Sequence, residues 1–239
     1  MEISNYKLQG FESIPSRLID CQKRLENNLV THGRDKESAQ LIAVSKTFPA
    51  EAIEQAYRAG QQAFGENYVK EAIEKILSLK ALNIQWHFIG PIQSNKTTLI
   101  AEHFDWVHSI SRLKIAQRLS DARGADRVPL QVCLQVNVSG ELSKEGCNPR
   151  EVKALAEQVT KLPNLKLRGL MTIPEATTDS AKTKASFAQL RSMRDDLRAA
   201  GIPVDTLSMG MSDDMDIAIA EGSTMVRIGR GIFGERARR

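Results

Sequence analysis

The sequence predicts an α/β chain closed into a (β/α)8 TIM barrel, with one extra helix in front. From Leu41 onward, short apolar runs alternate with helix-period patterns, the signature of repeated β-α units around a parallel sheet. The runs number eight, which is the count that closes such a barrel, and a helix follows each of the first seven. A length of 239 residues with 41% hydrophobic content suits one core of this kind, so residues 1–239 are expected as a single barrel domain. An open doubly wound sheet is the alternative, but no G-x-G-x-x-G cradle follows the first strand.

The extra helix is expected from about Pro15 to Val30, where Ile14, Leu18, Cys21, Leu25 and Leu29 recur at spacings of three and four. Leu41 to Val44 is the first strand. Pro49 opens the next helix, Ala50 to Ala59, and Gly60 stops it. A short strand at Ala63 to Gly65 precedes a helix over Val69 to Leu79. Gln85 to Ile89 is the third strand, punctuated by Gly90-Pro91, with a helix near Lys96 to Glu102. Trp106 to His108 leads into a helix from Leu113 to Ala122. Leu130 to Val138 is the most apolar strand, and Asn148, Pro149 and Glu151 cap the helix after it. Leu165 to Met171 is followed by a long helix, Ala181 to Ala200, which Gly201 and Pro203 end. Asp205 to Ser208, a helix over Asp213 to Glu221, and Met225 to Ile228 complete the series.

Composition excludes several classes. The net charge is +4, but Glu235 to Arg239 holds three positive charges against one negative, so the body is close to neutral. Neither a long basic run nor a nucleic-acid motif accompanies it. Cys21, Cys133 and Cys147 lack metal-ligand spacing, and an odd number without a framework suggests a reducing compartment. Met1 to Gly10 has no apolar signal core, and no run is long enough to span a bilayer. The expected location is the cytoplasm.

In a barrel of this type the chemistry belongs at the C-terminal ends of the strands. Lys46 leaves the first strand there, where partial desolvation favours the nucleophilic amine. A snorkelling surface lysine is the other reading. Ser208, Gly210 and Ser212 after the seventh strand, and Gly229 and Gly231 after the eighth, suit a phosphate or, equally, two ordinary turns. Asp213 and Asp214 would repel an anion unless they point elsewhere. Arg227 shares a strand face with Met225, so it points inward and needs either a structural partner or a ligand. His87 reads as a satisfied buried histidine more readily than a functional one. His103 and His108 show no metal-ligand spacing.

Six segments stand in order along the chain: Ala43 to Thr47, Phe64 to Tyr68, Trp86 to Lys96, Arg168 to Met171, Ser208 to Met215 and Gly222 to Gly229. Together they resemble the pyridoxal phosphate homeostasis proteins, which are similar to the barrel domain of alanine racemase without its second domain. The resemblance implies that Lys46 forms a Schiff base with the aldehyde of pyridoxal 5′-phosphate (PLP). It places Asn67 near the cofactor ring, with His87 as a less certain neighbour, and Arg227 facing the pyridine nitrogen. Ser208 and the backbone around Gly229 and Arg230 would hold the phosphate, with Gly210 and Met211 in the same binding set. Arg230 departs from the small or hydroxyl residue common there.

An arginine at the ring nitrogen weakens carbanion chemistry, and the second domain that supplies an opposing acid/base in alanine racemase is lacking. A non-catalytic PLP carrier and regulator is therefore expected, with no catalytic or metal-binding residues. The alternative is a weak amino-acid racemase or another PLP-dependent enzyme. The expected partners are PLP and PLP-dependent apo-enzymes, with no nucleic acid or membrane, in a monomer or weak dimer.

Overall fold

The computed structural model describes residues 14–139 and 145–235. Eight parallel strands close in sequence order: β1 (Gln40–Val44), β2 (Ala63–Glu66), β3 (Gln85–Phe88), β4 (Trp106–Ile110), β5 (Leu130–Gln135), β6 (Leu165–Met171), β7 (Thr206–Ser208) and β8 (Met225–Ile228). The seam is made by β1 against β8, with Gln40 opposite Met225 and Ile42 opposite Arg227. Outside run α1 (Ile14–Thr31), α2 (Ala50–Arg58), α3 (Val69–Ser78), α4 (Thr97–His103), α5 (Leu113–Arg123), α6 (Val152–Val159), α7 (Ser180–Ala199), α8 (Met215–Ala220) and a single turn, α9 (Arg230–Phe233).

The two-residue period of the strands sorts their side chains. Leu41, Ala43, Val107, Val132, Leu134, Leu170, Val226 and Ile228 join the shell between strands and helices. Their alternates, Ile42, Ala63, Trp106, Cys133, Met171 and Met225, form a smaller cluster along the barrel axis. Arg227 falls on the axial face with Met225. At the N-terminal end of the strands, Arg168 makes two bonds to Asp205 and lies 5.0 Å over the Trp106 ring. Strands β6 and β7 approach so closely at Gly169 that any Cβ would collide with the Thr206 carbonyl.

The extra helix α1 buries Ile14, Leu18, Leu25 and Leu29, with Cys21 half-buried on the same stripe. It packs on α8 and α9. From there Arg24 donates to the Ser212 carbonyl (2.8 Å) and pairs with Asp216, so α1 braces the loop after β7.

Most elements fall within a residue or two of expectation, and four differences have a local cause. β5 stops at Gln135, not Val138, because Asn137 N–H turns to Cys147 O and Val136 bridges to Cys147. Pro49 is the N-cap of α2 rather than its first helical residue. α8 starts at Met215, two residues late, because the Asp214 carboxylate turns back to accept from Met211 N–H. The turn α9 is too short for a periodic signal, and its flanking glycines read as loop. The capping box of Asn148 and Glu151 forms, at a 3-10 turn that leads into α6.

Residues 236–239, which hold the three arginines of the tail, lie outside the described residues. Among the described residues no helix is long and apolar enough to cross a membrane, and no three His, Cys, Asp or Glu side chains are grouped to hold a metal ion.

Candidate functional site at the C-terminal barrel mouth

A cavity of about 190 Å³ opens at the C-terminal ends of the strands, lined by Lys46, Asn67, Met211, Asp213, Arg227, Gly229 and Arg230 with Val44, Ile89, Ile173 and Ser212. Lys46 is half-buried there, and its backbone is held on both sides. On one side the Ser45 carbonyl accepts from Lys75 Nζ at 2.9 Å. On the other, Thr47 N–H donates to Glu71 Oε1 at 2.6 Å. Thr47 has φ of 70°, a region that a β-branched residue avoids unless its surroundings impose it. Lys75 is itself buried, bonding Glu66 Oε1 (2.8 Å) and Glu71 Oε1 (2.6 Å). Burial pushes the Glu66 carboxyl up from its ordinary value, while the Lys75 charge opposes the rise.

Arg227 reaches the cavity from the barrel interior and is 4% exposed. Its Nη1 donates to Ser208 Oγ (2.8 Å) and its Nη2 to Thr172 O (2.9 Å). Burial lowers its pKa to about 10, so it keeps its charge at neutral pH. Beneath it, Ser208 Oγ lies 2.7 Å from His108 Nδ1, and His108 Nε2 lies 2.9 Å from His87 Nδ1. Burial drives the His87 pKa down to about 3. It also holds His108 well below the ordinary value, with His87 and Arg227 adding to the effect. Both imidazoles are neutral.

The loops after β7 and β8 are tied across the mouth by an ion pair between Asp213 and Arg230. Asp213 therefore faces the cavity with its charge matched, while Asp214 is folded onto Met211. Gly210 has φ of 98°, and a Cβ there would sit 2.5 Å from that of Ala218, so this bend needs glycine. Asn67 carries a buried Oδ1 with no hydrogen-bond partner, an orphaned acceptor on the cavity wall.

Of the residues singled out in the sequence, Lys46, Asn67, Met211, Arg227, Gly229 and Arg230 meet at this cavity. Ser208 and His87 do not line it; they stand below, on the axial chain under Arg227. Gly210 lies behind the wall, where its carbonyl accepts from Arg227 N–H. A larger cleft of about 560 Å³ lies at the opposite end, among Gln40, Gln85, Asp105, Gln131 and Arg168. It is remote from Lys46, and the site is placed at the mouth because the nucleophile and both arginines are there.

Residues 20–237 match the family model described as the alanine racemase N-terminal domain. The pyridoxal phosphate homeostasis protein of Pseudomonas aeruginosa is 55% identical over 94% of this chain and 96% of its own length. The protein of the same description from Escherichia coli is 51% identical over 85% and 88%. The chain belongs to the pyridoxal phosphate homeostasis protein family. PipY of Synechococcus elongatus, in a structure with PLP bound, is 40% identical, with TM-score 0.82 over 92% of this chain and all of that one. Alanine racemase from Corynebacterium glutamicum, at 16% identity and TM-score 0.68, shares the fold over 60% of its length.

Within this family frame, three side chains escaped the sequence reading. Lys75 and Glu71 form an i,i+4 pair that reads as a solvated helix face. His108 carried a usable signal: it stands two residues after Trp106, as His87 stands two after Gln85, which puts all four on the axial face.

Proposed function

We propose that this chain holds PLP at the barrel mouth through Lys46 and serves PLP homeostasis as a carrier, without significant turnover. The observation that carries the reading is the cavity in which a backbone-clamped lysine, an orphaned amide oxygen and two arginines converge. The bound PLP in PipY, at 40% identity, supports it. The residues fit the cofactor: Lys46 Nζ is the nucleophile for an aldehyde, and Asn67 Oδ1 is an acceptor awaiting a donor. Arg230 and the glycine-containing loop at Gly229 would hold a phosphate, and Arg227 would face the ring. The Ser208 hydroxyl, which the resemblance assigns to the phosphate, accepts from Arg227 beneath the cavity.

When bound, PLP supplies an electron-withdrawing ring that is strongest when its nitrogen is protonated. Arg227 stays charged and offers only N–H donors, so it favours the unprotonated nitrogen and a weak electron sink. The carboxylate on the cavity wall, Asp213, is engaged by Arg230. These features support holding over turnover, the family name supports a role in PLP homeostasis, and transfer to PLP-dependent apo-enzymes is the cellular use that we propose.

The test is borohydride reduction after incubation with PLP, followed by peptide mass spectrometry. The expected result is reduced cofactor on the peptide containing Lys46, and no visible absorption band in Lys46→Ala. A colourless wild-type protein that takes up no PLP would overturn the reading. Lys46-dependent deuterium exchange at Cα across a panel of amino acids would move the protein to the enzyme class.

A further inference from the structure

The barrel axis holds polar side chains that the cofactor cavity does not touch. We propose that Ser208, His108 and His87 form a one-way hydrogen-bond chain that holds the Arg227 guanidinium in position at the mouth. They are positioning residues for the cofactor assigned above, and the inference rests on that assignment.

The direction of the chain follows from the donor inventory. A guanidinium has no acceptor, so Arg227 Nη1 must donate and Ser208 Oγ must accept (2.8 Å). Of the contacts that Ser208 Oγ makes, only His108 Nδ1 at 2.7 Å can accept its one hydroxyl proton, which makes that nitrogen an acceptor. A neutral imidazole accepting at Nδ1 carries its proton on Nε2, so His108 donates to His87 Nδ1 at 2.9 Å. His87 in turn carries its proton on Nε2 and donates to Gln85 Oε1 at 3.0 Å. Gln85 Oε1 also accepts from Gln40 Nε2 at 3.2 Å, where the chain meets the opposite end of the barrel. Each link fixes the next, and every donor and acceptor in the run agrees.

The axial setting makes this chain stiff. Ser208, His87 and His108 are fully buried, and the His87 ring stacks on Trp106 with centroids 5.5 Å apart. In such surroundings a broken link leaves an orphaned polar group rather than a water-filled one. The chain is not a proton conduit, because a guanidinium closes one end and an amide closes the other, and neither exchanges a proton at neutral pH. Its effect is geometric. Two N–H groups of Arg227 are committed inward, to Ser208 and to the Thr172 carbonyl, which leaves the remaining donors of the fork for the cavity.

The experiment has two arms on the full-length chain, with and without added PLP. In nitrogen-15 NMR of the histidines, both His87 and His108 should be Nε2–H tautomers; an Nδ1–H form at either overturns the chain. In PLP titrations followed by visible absorption, Ser208→Ala should weaken binding by about tenfold, the cost of one orphaned donor. His108→Asn, which keeps an acceptor where Nδ1 stands, should bind PLP more tightly than His108→Leu, whereas a purely packing role gives the reverse order. The double variant Ser208→Ala/Arg227→Met should be no worse than Arg227→Met alone, and additive losses overturn the proposal. If wild-type protein takes up no PLP, the cofactor reading falls and the positioning role with it. If it takes up PLP while the tautomers or the variant order come out otherwise, the chain alone is overturned.

Discussion

At the scale of single residues, Lys75 braces the backbone beside Lys46 without lining the cavity. It is buried, and its three contacts are the Ser45 carbonyl, Glu66 and Glu71. Removing one member of a buried ion pair strands the other, at about 3–5 kcal/mol. Lys75→Met should therefore lower the unfolding free energy in urea by about that amount, and Glu66→Gln in the same chain should restore much of it. A loss under about 1 kcal/mol would mean that solvent reaches Glu66. The same scale shows what the sequence can and cannot reveal. Lys46 was legible because it ends an apolar run, a local pattern. Lys75 was not, because its burial depends on β1 and β2 lying beneath α3, and a Glu-Lys pair on a helix gives no sign of that.

At the scale of elements, the strands were legible and the loops between them were not. A strand in a parallel barrel is buried on both faces, so an apolar run such as Leu41 to Val44 announces itself without tertiary knowledge. The ends are set by partners distant in sequence. β5 ends where Cys147 returns to take the Asn137 N–H, and α8 begins late because Asp214 folds onto Met211. The loop after β7 depends on Gly210, whose positive φ and 2.5 Å approach to Ala218 leave no room for a side chain. Gly210→Ala should cost about 1–3 kcal/mol in strain and displacement. It should also weaken PLP binding, since the Gly210 carbonyl holds the Arg227 N–H. Equilibrium unfolding and PLP titration of this one variant check both effects. Unchanged affinity would show that the bend does not set the Arg227 position.

At the scale of the whole molecule, the two axial histidines couple the stability of the barrel to pH. Each is neutral when folded, with His87 lowered to about 3 and His108 well below its ordinary value, chiefly because burial disfavours the cation. In the unfolded chain both regain an ordinary value of about 6.5. Below that value the unfolded state binds protons that the folded state refuses, so stability falls as pH falls. The loss begins near pH 6.5 and continues toward the folded value of His87, about 3. Within that window each histidine contributes a slope of about 1.4 kcal/mol per pH unit. Urea unfolding between pH 7.5 and pH 4.5 should thus show stability dropping with a proton uptake approaching about two from these residues alone. His87→Phe should remove about one proton from that slope whatever it does to the absolute stability, because a slope reports titration and not packing. A slope unchanged by the substitution would mean that His87 is protonated in the folded barrel, and a charged His87 would have no lone pair left to accept from His108.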